Sequence, residues 1–560
     1  MNRVPAIVWG SAVLVALLLS PAAPAAEKAG AFRRLPVKEY RDRMKAGWIG
    51  QIIGVSWGAP TEGRYREIMP AEKMPPFTEN LVNNAFGQDD LYVEMTFLRS
   101  MEQYGFDVSI RQAGIDFANS GYSLWVANAA GRTNLRNGIA PPDSSHPKFH
   151  NCAGAIDYQI EADYAGMIAP GMPGTIIALG EKFGRLMNYG DGVYAGQFMG
   201  AMYAEAFFEK DVHKLIEAGL KSIPSQCVYA EMVGDMVRWH RENPADWEKT
   251  WRLVDEKYRK NKQYNISPLD VKLEGAFVLM GLLYGDGDPD KTMIISCRCG
   301  SDSDCNPSSS GGIIFTALGL ANLPDRYYRK LDEAKVFSHT AYNFPALLDV
   351  CEKLARQALA REGGRVEKDA DGSDVFVIPV KEARPSPFED LKNPGPITDS
   401  RFTDDEMRRI ETPGLTWALP KVLPGWTVAN AALRASSFAW ERNGRKNVVL
   451  LRASKAGESV AAARKLDLAS GGPCKIACAA GLEPRAGGWI LTVKANGDEI
   501  LRKTVSGETV ENGWLEIEAD LSAYAGKSVA LELTGQPQDK ESKTAAACCI
   551  AGLSVTGERK

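Results

Sequence analysis

From Val37 to about Arg361 the apolar positions recur at helical spacing, and the pattern predicts a mostly α-helical region. Val37–Met44 opens a helix that runs on through Gly47, Gly50, Gly54 and Gly58. Glycines at these intervals leave a bare stripe on one helix face, which another backbone can approach closely. Leu91–Leu98 has the apolar content of a second helix, with Asp89 and Asp90 at its N-terminus. Gly190-Asp191-Gly192 opens another, rich in Ala, Met and Phe from Gln197 to Phe208. Beyond Trp426 the pattern shortens to strand-length segments between turns, at Gly488–Val493, Trp514–Glu518 and Val529–Leu533. Asn496-Gly497, between Val493 and Ile500, is a hairpin turn. Between these regions Pro385, Pro387, Pro394, Pro396, Pro413, Pro420 and Pro424 break any long element, which predicts a linker or a chain draped over the surface. The expected order is a helical domain over 33–364, a Pro-rich linker over 365–425 and an all-β, jelly-roll-like sandwich over 426–560.

Composition adds limits. A chain of 560 residues has room for two or three domains, and its 45% apolar and 24% charged content is that of a globular protein. A net charge of −4 argues against an electrostatic nucleic-acid binder, which needs a basic face. Arg3, the apolar run Val4–Leu19 and the small residues Ala23-Pro24-Ala25 read as a leader peptide over 1–25, which predicts export to the periplasm or the medium. The run is shorter than the ~20 residues a membrane span needs, so no stable membrane anchor is expected. Of ten cysteines, Cys474 and Cys478 are spaced for a local bridge, whereas the adjacent Cys548 and Cys549 are not.

The chemistry concentrates in Cys299–Gly312, a Gly/Ser-rich stretch carrying Asp302 and Asp304 between two apolar runs. Buried carboxylates need a partner; Arg298 is adjacent in sequence, and a hard cation is the simplest alternative. Glu62, in the turn that ends the glycine-striped helix, is a further candidate ligand. Asp89 and Asp90 read individually as helix caps, yet only one of two adjacent side chains can cap. Asn151, Asp157 and Glu161 form a third polar cluster; Asp157 and Glu161 on one helix would repel unless a cation, substrate or other partner lies between them. Oxygen donors from several loops suit Mg²⁺, Mn²⁺ or Ca²⁺. Neither Asp286–Cys297 nor Asp302–Ile313 has the glycine and terminal glutamate of an EF-hand. The five histidines all lie away from Cys297, Cys299 and Cys305, which disfavours a zinc site there.

The ordered set Gly58-Ala59-Pro60-Thr61-Glu62, Asp89-Asp90 before Met95-Thr96, and Asp302-Ser303-Asp304 before a small-residue helix resembles the ADP-ribosylglycohydrolases, over roughly residues 37–360. The resemblance implies an all-α orthogonal helical bundle and a cleft holding two divalent cations, Mg²⁺ or Mn²⁺. It implies Asp89, Asp90, Asp302 and Asp304 as ligands, with Glu62 at the same site. It further implies hydrolysis of an N- or O-glycosidic bond of an ADP-ribosyl or related sugar, with Glu62 or Asp302 taking the proton of the attacking water. Asn151, Asp157, Glu161, Gly190, Asp191 and Gly192 are the candidate substrate-binding residues. Gln88 and Cys305 stand where better-known members carry hydroxyl residues. Two other readings are an exported glycosidase acting on glycans or nucleosides at the same site, and a non-catalytic binding protein on this fold. Trp426, Trp440 and Trp489 are candidates to stack on a carbohydrate at the C-terminal domain.

Overall fold

The glycine-striped segment forms one unbroken helix, Val37–Gly58, and its stripe is used in full. It lies against helix Cys305–Leu318 so closely that a methyl group on Gly50, Gly54 or Gly58 would overlap the backbone of Gly311, Pro307 and Ser303 in turn. This pairing carries Glu62 and Asp304 to the same end of two packed helices. The computed structural model describes Met1 and residues 31–432, 436–483, 487–539 and 547–559. The expected leader, apart from Met1, lies outside the described residues.

The helical domain packs around the central helices Asp191–Ala206 and Val271–Tyr284, whose side chains are almost wholly buried on every face. Helix Asp89–Tyr104 and the short helices Asp157–Ile160 and Asp163–Ile168 complete the wall around the acidic residues. Asp157 and Glu161 do not share a continuous helix, because the helix stops at Ile160 and Glu161 caps it. Among the described residues no helix is long and apolar enough to cross a membrane.

The Pro-rich stretch is more than a tether. Its first part supplies β2 (Arg365–Lys368) and β3 (Asp374–Pro379), and β3 pairs on its other side with β1 (Phe32–Pro36), closing a three-stranded sheet onto the helical domain. Pro379 ends β3 and the other prolines of the stretch follow it, so the N–H groups of Asp374–Ile378 remain free for this ladder. Farther along, buried Asp143 accepts from Thr398 N, Thr398 Oγ1 and Ser400 N at 2.9–3.0 Å, and Arg111 holds Glu406 with two guanidinium N–H groups. Short helices Asp404–Arg408 and Leu415–Val422 lead into the second domain.

That domain is a sandwich of two five-stranded antiparallel sheets. One runs Asp498–Val505, Trp489–Ala495, Ser528–Pro537, Val460–Asp467, Thr427–Ala429; the other runs Trp514–Asp520, Lys475–Gly481, Ala547–Thr556, Arg445–Arg452, Ser437–Arg442. From Val460 onward the chain changes sheets repeatedly, as in a jelly roll. The hairpin at Asn496-Gly497 forms as expected, with both residues at positive φ, 52° and 95°. Cys474 and Cys478 are free and buried in the core between the sheets. Trp489 is 1% exposed in the same core and donates from Nε1 to Gly481 O at 2.9 Å, so it is a packing residue and presents no face to a sugar. Trp440 is half-buried against Trp417 and Phe438, with Nε1 donating to Ile410 O; Trp426 is likewise half-buried on that core.

Candidate functional site

Local backbone chemistry builds the acidic loop. Gly300 and Ser301 both take positive φ, 76° and 61°, turning the chain sharply out of helix Pro289–Arg298 so that it re-enters a helix at Cys305. This places Asp302 and Asp304 on the turn between two helices. The segment after Glu62 is laced to the same turn. Gly63 N donates to Ser301 O at 3.1 Å, Ser301 N to Tyr65 O at 2.8 Å, and Met69 N to Arg298 O at 2.8 Å. The Thr61 and Ser303 hydroxyls complete the seam at 2.9 Å. Arg298 is turned away: its Nε donates to Met69 O and its guanidinium lies over Trp247. It does not neutralise the loop.

Asp302, Asp304 and Cys305 offer ligand atoms that all lie within 4.8 Å of one another. Asp90, wholly buried, has neither carboxylate oxygen hydrogen-bonded, although the Cys305 and Ser308 side chains lie near enough to ease its charge. Glu62 is exposed at the mouth, and Asp89 is half-buried beside it. Electrostatics shows how tightly these acids are drawn together. The charge of Asp304, then burial and Asp89, raises Glu62 to about 7. Burial, followed by mutual repulsion, pushes Asp90 and Asp302 well above the usual carboxylate range, and burial raises Asp89 and Asp304. Carboxylates converge here, Asp90 with both oxygens bare, and among the described residues no buried cation pairs with them. This donor set fits hard divalent cations.

Comparison with known proteins bears on the helical domain as a whole. A family model described as ADP-ribosylglycohydrolase matches residues 36–365, more than half of the chain. The chain belongs to the ADP-ribosylglycohydrolase family. With the family comes a glycohydrolase-type function. Among solved structures, an ADP-ribosylglycohydrolase-related protein complex is 18% identical, covering 58% of this chain and 99% of that one with a TM-score of 0.34. TmCBM61 in complex with beta-1,4-galactotriose is 12% identical over 24% of this chain and 91% of that one (TM-score 0.19). The CBM22-1 xylan-binding domain of Paenibacillus barcinonensis Xyn10C is 14% identical over 24% of this chain and 86% of that one (TM-score 0.18). No curated protein matches the chain.

Within this family member, the second acidic cluster joins the first. Asp157 accepts the N–H groups of Ala127 and Asn128 at 3.1 and 2.9 Å, capping helix Val126–Arg136, and burial raises it to about 7. Glu161 takes the Asn128 amide on one oxygen and leaves Oε2 buried without a partner. The charges of Asp157, Asp89 and Asp90 are all felt at Glu161, so the two clusters are neighbours. The other expected substrate residues lie elsewhere. Asn151 is exposed in a turn, with its Oδ1 accepting from Cys152. Asp191 is buried, accepts Tyr229 N and faces the buried Lys272–Asp270 ion pair. Gly190 packs toward Glu389 and Leu391 of the draped segment, and Gly192 toward Ala153 and Asn188. A helix opening on Gly-Asp-Gly thus serves packing and capping.

Three buried acids were missed from the sequence. Glu274 accepts from Ser301 Oγ at 2.6 Å and Asn306 Nδ2 at 2.8 Å, bracing the acidic loop from behind. Glu94 accepts from Gln51 Nε2 and Tyr164 N, and neighbouring Asp163 accepts from Tyr203 OH at 2.7 Å. Glu94 follows Asp90 by one helical turn, the single sequence signal that placed it on the cleft side of its helix.

Proposed function

We propose that the cleft hydrolyses an N- or O-glycosidic bond of an ADP-ribosyl or related sugar substrate. In this reading Asp89, Asp90, Asp302, Asp304 and Glu62 hold two divalent cations, Mg²⁺ or Mn²⁺. The observation that carries it is the buried, unpartnered carboxylate of Asp90 beside Asp302 and Asp304. Left without a cation, such a cluster costs stability.

Bound divalent cations supply positive charge that acidifies coordinated water and binds vicinal hydroxyls. The chain's own residues do the rest. Glu62, exposed at the mouth and tied through Thr61 to Ser303, is placed to accept a water proton on its carboxylate. A cation held there would offset the charge of Asp304 which, with burial and Asp89, raises Glu62, and would so favour its ionised form as a base. Asp302 is the alternative base; wholly buried and beside Asp304, it reaches fewer waters. Glu161, with one oxygen fixed by Asn128 and one bare, is placed to accept a hydroxyl of the sugar. The negative wall favours an oxocarbenium-like transition state, as in glycoside hydrolysis generally. The C-terminal sandwich is proposed to take a carbohydrate ligand.

The test is turnover by purified protein with Mg²⁺ or Mn²⁺ on ADP-ribosylated peptide, nucleosides and oligosaccharides, beside Asp302→Ala. Turnover abolished by that substitution is expected. Absence of both turnover and calorimetric metal binding in the wild type would sink the proposal, and turnover confined to glycans would retire its ADP-ribosyl form.

A further inference from the structure

Two loops rise on either side of the Asp89 helix start, and each presents an exposed ring. Trp125 is 63% exposed, and the next residue, Val126, sits at φ 33°. A β-branched residue rarely takes that conformation, and here it aims the N–H groups of Ala127 and Asn128 at Asp157. The backbone that carries Trp125 is therefore fixed beside Asp157 by these bonds. On the other side Phe337 stacks on Phe86 at 4.4 Å and Ser338 N donates to Phe86 O, fixing the loop that follows to the turn before Asp89. That loop exposes Val336 and His339, the latter also at positive φ, 63°.

Both loops rest on one buried aromatic pair. Tyr92 and Tyr122 pack tilted at 4.4 Å, the His339 ring meets both edge-on at 5.5 and 5.6 Å, and Tyr92 OH donates to Ser123 O at 2.7 Å. Lys335, just before Val336, lies over the Phe86 ring at 4.9 Å and donates to Asn83 O. Arg132 behind the two loops spends its donors on Ser120 O and Tyr122 O. Rings placed beside carboxylates in this way offer faces and edges for stacking.

We infer that Trp125 and His339 flank a subsite for a flat, uncharged aromatic ring of the substrate, next to the sugar held by the cleft acids. This rests on the proposed reading that those acids hold a sugar's vicinal hydroxyls, and it makes the attached ring a specificity element. A nucleoside is the simplest molecule that carries both parts.

Calorimetry with Mn²⁺ present, using adenosine and methyl β-ribofuranoside as probes, separates the two parts, because both have the diol and only one has a base. The wild type is expected to bind adenosine about tenfold more tightly, the magnitude of one stacking contact. Trp125→Ala should erase that preference and leave methyl riboside binding unchanged. Trp125→Phe should keep most of it, and His339→Ala should reduce it. Should Trp125→Ala bind adenosine as the wild type does, or lose both probes equally, the aromatic subsite is overturned while the diol site stands. Failure of both probes to bind the wild type overturns the diol reading, and the subsite falls with it.

Discussion

The hydroxyls of Thr61 and Ser303 meet at 2.9 Å in a fully buried contact, and this bond joins the turn bearing Glu62 to the turn bearing Asp302 and Asp304. Thr61 also donates to Gly58 O at 2.8 Å, so Glu62 is placed by the C-terminus of one helix and the acidic loop of another. Ser303→Ala should cost roughly 1 kcal/mol of stability, the ordinary value of one such bond. It should weaken Mn²⁺ binding more than that loss explains, because it frees Glu62 from the loop. Calorimetric Mn²⁺ affinity equal to wild type would show that the seam does not position the site.

Gly54→Ala should be far worse than its chemistry suggests. The added methyl overlaps the Pro307 carbonyl across the helix pair, a backbone atom that no rotamer change can move. Overpacking of this kind costs ~1–3 kcal/mol, read as a lowered urea midpoint at unchanged slope. Gly63→Ala is the control: it meets no atoms and lies in a turn at φ 66°, so only local strain applies.

The acids make stability depend on metal and pH together. Burial raises Asp90 and Asp302 well above the usual carboxylate range, so the folded state binds their protons more tightly than the unfolded chain does. In metal-free protein their contribution to stability is accordingly greatest below the ordinary carboxylate pKa of ~4, and is lost as pH rises above it. In chelator-treated protein the Tm should fall across this range, and Asp302→Asn should flatten the fall. Adding Mn²⁺ at neutral pH should restore the wild type, with ~2.7 kcal/mol gained at a hundred times Kd. Asp302→Asn should gain little. A wild-type Tm indifferent to Mn²⁺ would count against a cation site.

Glu406 behaves oppositely. Its bonds to Arg111, ahead of those within its own helix start, lower it to about 2. Its contribution is present above the ordinary glutamate value of ~4.3 and disappears as pH falls from there toward 2. Wild type and Glu406→Gln should differ in Tm at pH 6 and converge near pH 2. The same variant should expose the 385–412 segment to protease at neutral pH, because Glu406 pins that segment to helix Ile110–Ala118. Equal cleavage rates would mean that the Asp143 bonds hold the strap unaided.

Much of the architecture was legible because it is periodic or local. A glycine every fourth residue specifies which helix face is bare whatever packs there, and Asn-Gly at positive φ makes a hairpin from two residues. Asp302 and Asp304 were recognisable as needing a partner, since two acids in a short turn between apolar runs are costly to bury. Gly190-Asp191-Gly192 misled for the converse reason: a glycine-flanked acid at a helix start looks the same whether it faces a ligand or caps the neighbouring Tyr229 N–H.

By itself the sequence determined the helix-then-strand order of the domains, the stripe on Val37–Gly58 and the turns that carry Glu62, Asp89, Asp90, Asp302 and Asp304. Each depends on residues within a few positions of one another. Tertiary structure alone decided that Asp157 and Glu161 join that cleft, that Glu274 braces it, and that Trp489 is core while Trp125 stands in solvent beside Asp157's helix cap. Two tryptophans carry the same local chemistry. Burial and partnership arise between segments distant in the chain, where packing, and not spacing, sets which side chains meet.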